Sequence, residues 1–285
     1  MAALNLVTYL LKLVLCGMAF LAGVGVSGGV LPRLGLKAPP MPEGADAKTV
    51  GAYTAAGSLF VALALAQLAA GMAGGLLERW LALTALAWLA WGVNTVLEVS
   101  LFTVYEQGAR GAPFTLLYSL AASLTLALAV AWLFPGPGPG VGFWASVVGF
   151  FSRHTFGEWA WRLVGALAAF PAIYYLFGAL ISPIVLDYYR RNSFGLTLPK
   201  TSGILRMQAV RSLLFLLAVL PVLVLWHAAR SVFPALGVAL FILVGWTPVF
   251  VAYWLPKPLR LTHGLEILVD SLACAWVVAK LLGPH

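Results

Sequence analysis

The chain has 285 residues, 62% of them hydrophobic and only 9% charged, with a formal net charge of +8. About a quarter of the residues in a soluble domain are charged, so this composition excludes one and points to a membrane protein. The basic excess does not mark a nucleic-acid binder, because Lys and Arg are scattered through short connections and form no aromatic-interleaved cluster.

Apolar runs of about 20 residues suffice to cross a hydrocarbon core of about 30 Å. They are continuous and do not alternate in polarity, which predicts helices in place of a β-barrel. Eight spans are expected, at 10–31, 53–76, 80–104, 114–134, 163–186, 209–229, 235–255 and 264–282. The fold class is therefore an all-α, polytopic transmembrane bundle. The first run has no basic segment before it and is long enough to stay as an anchor.

Within that run Gly23, Gly25 and Gly28 match the glycine pattern of a dinucleotide-binding turn, but no strand precedes them. Helix packing is the expected role, through Gly25 and Gly29 and again through Gly71 and Gly75 at four-residue spacing. Gln67, alone in span two, is expected to hydrogen-bond to a neighbouring helix. Glu78 and Arg79 read as the whole second connection, making spans two and three a tight hairpin.

Span three carries the most informative residue, Glu98. A charge at the centre of a spanning helix costs roughly 2.5 to 3.5 kcal/mol even on lenient insertion scales, so something must offset it. At 100° per residue Thr84, Trp88, Trp91, Thr95 and Glu98 fall on one stripe with Asn94 at its edge, and that stripe is expected to face the bundle interior or a cavity.

The run Pro135 to Gly140 cannot continue a helix. It divides the chain into a membrane domain over 1–134, a linker with an interfacial segment over 135–162, and a second membrane domain over 163–285, with four spans on either side. Phe143, Trp144, Phe150 and Phe151 are expected along the membrane surface, where aromatic rings prefer to lie. Pro171, Pro183, Pro221 and Pro248 free backbone carbonyls in or beside spans five to seven. Cys16 and Cys274 fall inside spans and read as small apolar packing residues.

Span eight supplies a second polar stripe, His263, Glu266 and Asp270 at i, i+3 and i+7. Span three ends and span eight begins on the same side, and helical rise places Glu98 and Asp270 at a matched depth of roughly 9 Å. If the two helices are neighbours, Glu98, Asp270, Asn94, Glu266 and Trp91 form a substrate- or proton-binding site. His263, Glu266 and Asp270 are the candidate ligands of a divalent metal, and no other cofactor is expected. The structural alternative is simple pairing with an arginine reaching down from a loop, namely Arg110, Arg190, Arg191 or Arg206.

Connections one, three, five and seven hold most of the basic residues, among them Arg33, Lys48, Arg110, Arg190, Arg191, Arg206, Arg211 and Arg260. The preference of Lys and Arg for the cytoplasmic side then puts both termini outside. The leading functional expectation is a small cell-membrane transporter or proton-coupled permease, whose partners are the lipid bilayer and a small molecule, proton or cation. Its alternatives are an intramembrane hydrolase or lipid-modifying enzyme, metal-dependent or not, and a structural subunit of a membrane complex. No catalytic residue is assigned, and the sequence does not set the oligomeric state.

Overall fold

The computed structural model describes residues 2–42, 44–103, 111–138 and 140–283. The helices are α1 (Ala2–Arg33), α2 (Ala47–Ala69), α3 (Leu76–Phe102), α4 (Ala112–Leu133), α5 (Phe143–Phe151), α6 (Phe156–Arg190), α7 (Thr201–Leu225), α8 (Phe233–Gly245) and α9 (Lys257–Leu282). Strands are absent among the described residues, apart from two isolated bridges. The all-helical bundle is thus in place, and its apolar helices mark a multi-pass membrane protein.

Among the described residues six helices, α1 to α4, α6 and α7, are long and apolar enough to cross a membrane. The remaining two expected spans differ for physical reasons. Helix α8 has only 13 residues and runs into a π-helical turn, Trp246–Val251. Helix α9 has 26 residues but carries Lys257, Arg260, Glu266, Asp270 and Lys280, which lower its apolar character.

Local signals start the helices. The Asp46 carboxylate accepts the Thr49 N–H at 2.8 Å and caps α2, satisfying a donor that has no partner inside the helix. Thr155 and Glu158 form a reciprocal capping box at the start of α6, with the Thr155 N–H donating to the Glu158 carboxylate at 2.8 Å. Proline occupies the first turn of α4, α8 and α9, where its missing N–H is harmless.

Leu65, Leu68, Leu83, Leu126, Leu223 and Leu236 are fully buried in one continuous core that draws on both sides of the Pro-Gly linker. That linker lies across the α2–α3 connection. The Gly74 N–H donates to the Gly138 carbonyl at 3.1 Å, and Gly136 sits so close to the Met72 carbonyl that no side chain would fit.

Connections gather in two sets. The Tyr253 hydroxyl donates to Asp46 at 2.6 Å, and the Thr197 N–H donates to the Phe102 carbonyl at 2.9 Å. At the other end of the bundle, the Ala73 N–H donates to Leu225 at 2.8 Å, the His227 N–H to Gly71 at 2.9 Å, and the Arg162 guanidinium to Leu281 at 2.6 Å.

Two local expectations are corrected. The second connection is not Glu78-Arg79 but the stretch 70–75, and Arg79 lies in the first turn of α3. Its buried guanidinium donates to the carbonyls of Ala131 and Phe134, closing the end of α4, where unpaired carbonyls and the helix dipole favour a cation. Gly25 and Gly29 meet nothing. The close approach of α1 to α4 falls instead on Gly23, where an added Cβ would stand 2.7 Å from the Ala121 carbonyl oxygen. Gly71 does act in packing, beneath the Trp226 ring, and Gln67 donates to the Tyr9 hydroxyl at 2.9 Å.

Candidate functional site

Helices α3, α6, α7 and α9 enclose most of a cavity of about 680 Å³. Glu98, His263, Glu266 and Asp270 all line it. The residue that organises them is Arg211 of α7, only 5% exposed. Its guanidinium meets the Glu98 carboxylate at 2.8 Å, and the Phe170, Tyr174 and Phe215 rings lie 5.4, 5.8 and 5.7 Å from it. A cation over aromatic faces gains attraction from their ring electrons, so Arg211 is held by one charge and three rings.

On α9, His263 Nδ1 donates to Glu266 at 2.8 Å, and Tyr189 of α6 reaches His263 Nε2 at 3.2 Å. Asp270 stands apart. Its Oδ1 is buried without a hydrogen-bond partner among the described residues, and no cation lies within ion-pairing distance of it there. Arg211 and Glu266 are within electrostatic reach of it.

Glu98 and Asp270 therefore share a cavity without touching, and their depths differ. Tyr189 ties Phe102, 6.2 Å away ring to ring, and His263 to one level. From that level Glu98 lies one helical turn inward and Asp270 nearly two, roughly 6 and 10 Å at 1.5 Å per residue. The expected match in depth fails because α9 begins at Lys257 and not near residue 264.

Asn94 and Trp91 are not in this cavity. Asn94 is 1% exposed, with Oδ1 unpartnered among the described residues. Trp91 packs on Phe20 at 5.4 Å, beside a separate cavity of about 200 Å³. Trp88 donates to the Leu116 carbonyl of α4 at 2.9 Å. The cause is a π-helical turn, Trp88–Val93, inside α3. A π turn admits an extra residue, which swings everything after it by about 100° relative to the face that precedes it. The single stripe expected on span three is thereby split between two surfaces.

The metal set fares differently from the cavity. Among the described residues no three His, Cys, Asp or Glu side chains converge as a group that could hold a metal ion. His263 and Glu266 are engaged with each other, so the donor set expected from spacing does not fit a metal. The expected loop arginines are also replaced. Neither Arg190, Arg191 nor Arg206 pairs with Glu98, Arg191 instead facing Asp187 at 3.5 Å, and Arg110 lies outside the described residues.

Arg211 escaped the sequence reading because it was grouped with the fifth connection. The signal was present: Pro199-Lys200-Thr201 is a helix start, and a helix from Thr201 carries Arg211 about 15 Å inward. Tyr174, Tyr175 and Tyr189 of α6 also line the cavity and drew no notice as isolated polar tips in an apolar run.

The cavity is polar at one end only. At that end Pro42, Thr103, Leu196 and Trp254 line it, and it follows α9 from Arg260 to Val278, roughly 27 Å of helix at 1.5 Å per residue. All its charged groups lie between Arg260 and the level of Asp270. Beyond them the walls are Ala166, Leu216, Val219, Cys274, Val277 and Val278. Fold and site together define a helical membrane protein with a charged, lipid-depth cavity. The chain matches no protein-family model, no curated protein and no solved structure.

Proposed function

We propose that the protein is a small membrane transporter, a proton-coupled permease, whose binding site is the cavity between α3, α6, α7 and α9. The observation that carries this reading is Asp270, a carboxylate without a partner among the described residues, beside Glu98, whose charge is met by Arg211 at 2.8 Å while the Arg211 Nε stays unpartnered there. An ionisable group inside a membrane protein needs a compensating partner, and a site that leaves one open invites a proton or a substrate to fill it. Glu266 and Cys274 on α9 and Arg211 on α7 are within electrostatic reach of Asp270, and Glu98 on α3 and Tyr174 on α6 line the same cavity. Ionised Asp270 competes with Glu98 for Arg211, whereas protonated Asp270 leaves Arg211 to Glu98. Proton binding is thereby linked to the position of the guanidinium at the cavity wall.

Eight passes through the bundle are part of the same reading. They are supported by the hydrogen bonds that join the first connection to the seventh, the third to the fifth, and the second to the sixth. The bias of Lys and Arg toward the odd connections then favours a cytoplasmic cavity mouth and extracytoplasmic termini.

The test uses proteoliposomes loaded with a pH-sensitive dye and challenged with amines, carboxylates and zwitterionic amphiphiles. Substrate-dependent proton flux is expected in the native protein, absent in Asp270→Asn, much reduced in Glu98→Gln and retained in Asp187→Asn, which neutralises an exposed acid at the end of α6. Flux that survives both Asp270→Asn and Glu98→Gln in correctly inserted protein overturns the reading, and so does the absence of flux with every class.

A further inference from the structure

Taking the cavity to be the permease site, its shape and charge narrow the substrate class. We propose that it binds an amphipathic monocation, an ammonium head attached to a linear apolar tail, with the head at Asp270 and the tail between α6, α7 and the inner half of α9.

Glu98 is met by Arg211 at 2.8 Å and Glu266 by His263 at 2.8 Å. Arg260, the other basic residue at the polar end, donates to the carbonyls of Val249 and Phe250 at 2.8 and 3.1 Å, at the end of the π turn that follows α8. One carboxylate at this end has neither an ion-pair nor a hydrogen-bond partner among the described residues, that of Asp270. An anionic head would lie among three carboxylates and meet a guanidinium that already faces Glu98, with only its Nε unpartnered among the described residues, whereas an ammonium meets the open carboxylate of Asp270 directly.

Neighbouring groups favour the same ligand. Tyr174, Tyr175 and Tyr189 line the polar end, and aromatic faces attract ammonium groups that have lost their water. The Tyr175 hydroxyl is buried without a partner among the described residues and is open to accept a hydrogen bond from a primary or secondary amine. Past Asp270 the cavity continues between Cys274, Val277 and Leu216 with no charged group, so a compact hydrophilic cation would leave this length unfilled. Burying an alkyl tail there adds affinity that scales with its length.

The experiment measures equilibrium binding of radiolabelled dodecyltrimethylammonium and of dodecyl phosphate, which share a tail and differ in charge, to protein in nanodiscs, with protein-free nanodiscs as background. The native protein is expected to bind the ammonium at least about tenfold more tightly than the phosphate, the scale of one charge-assisted contact. Asp270→Asn should remove that preference, weakening ammonium binding and leaving phosphate binding no weaker than in the native protein. Val277→Trp, which fills the inner end, should weaken both probes and keep their ratio.

Equal binding of the two probes by the native protein overturns the proposal, as does an Asp270→Asn protein that still prefers the ammonium. If Asp270→Asn fails to fold, an unaltered affinity in Val277→Trp overturns the tail placement by itself. The flux assay separates the two levels of inference. Asp270-dependent ammonium binding without proton flux would leave this site standing and remove the permease, and flux driven by anionic substrates without ammonium binding would do the reverse.

Discussion

Helices α6 and α7 line the same cavity, are both long and apolar, and are packed in opposite ways. In its most apolar stretch α7 is 61% buried, whereas α6 is 6% buried. Helix α7 is a central post: Phe215, Val219, Val222, Leu223 and Leu225 are buried, and the post carries the one arginine that faces Glu98. Helix α6 is a cover. It is tied to α9 near its two ends, by Arg162 donating to the Leu281 carbonyl at 2.6 Å and by Tyr189 meeting His263 at 3.2 Å. Between the ties it carries Pro171 and Pro183, each of which removes a backbone hydrogen bond. The cavity thus has one wall on a well-buried helix that carries Arg211 and another on a helix that leaves most of its surface outward.

The contrast can be broken most directly at Arg211. Arg211→Met strands the Glu98 carboxylate, and breaking one side of a buried pair is expected to lower stability by about 3 to 4 kcal/mol. Adding Glu98→Gln should recover most of that loss, and thermal unfolding of the single and double variants checks both. Next in size is a matched pair of truncations. Leu223→Ala on α7 opens a cavity in the core and should cost about 2 to 3 kcal/mol, while Leu180→Ala on the exposed face of α6 should stay within about 0.5 kcal/mol. Similar losses at the two positions would erase the distinction between post and cover.

Tyr189→Phe removes one of the two ties. A loss of about 1 kcal/mol is expected, with faster hydrogen exchange at the Tyr189 end of α6 and none of that change in α7. The smallest effect serves as an outside reference. Hydrogen bonding from Tyr253 holds the exposed Asp46 carboxyl down at about 2, against an ordinary 3.8. A carboxylate whose folded value lies below its unfolded one adds stability above the unfolded value and loses it as pH falls through the folded one. Tyr253→Phe should therefore melt slightly lower than the native protein above pH 4 and converge with it toward pH 2, without altering either α6 or α7.

The sequence was most legible where a pattern is local. Periodicity alone put His263, Glu266 and Asp270 on one face of one helix, and all three line the cavity. Glu98 stood out because a charge in an apolar run needs a partner, but the partner itself could not be read. Arg211 is far from Glu98 in the chain, and only the packing of α3 against α7 joins them. Trp91 was misplaced by the π turn, since a count at 100° per residue assumes an unbroken α-helix and nothing in Trp88–Val93 announces the extra residue, whereas Asn94 follows the turn and is buried one helical turn before Glu98. The topological reading of the arginines was blurred for a related reason: Arg79, Arg162 and Arg260 spend their charge on helix-end carbonyls inside the fold.

Composition and the lengths of the apolar runs determined by themselves that this chain forms a bundle of membrane helices, because a backbone in lipid must satisfy its own hydrogen bonds and a helix does so within one segment. They also determined which few side chains are too polar to face lipid. Which of those side chains meet, which are already paired and which is left open was decided only by tertiary structure. Electrostatic pairing acts over a few ångströms of space, and distance along the chain carries no measure of it.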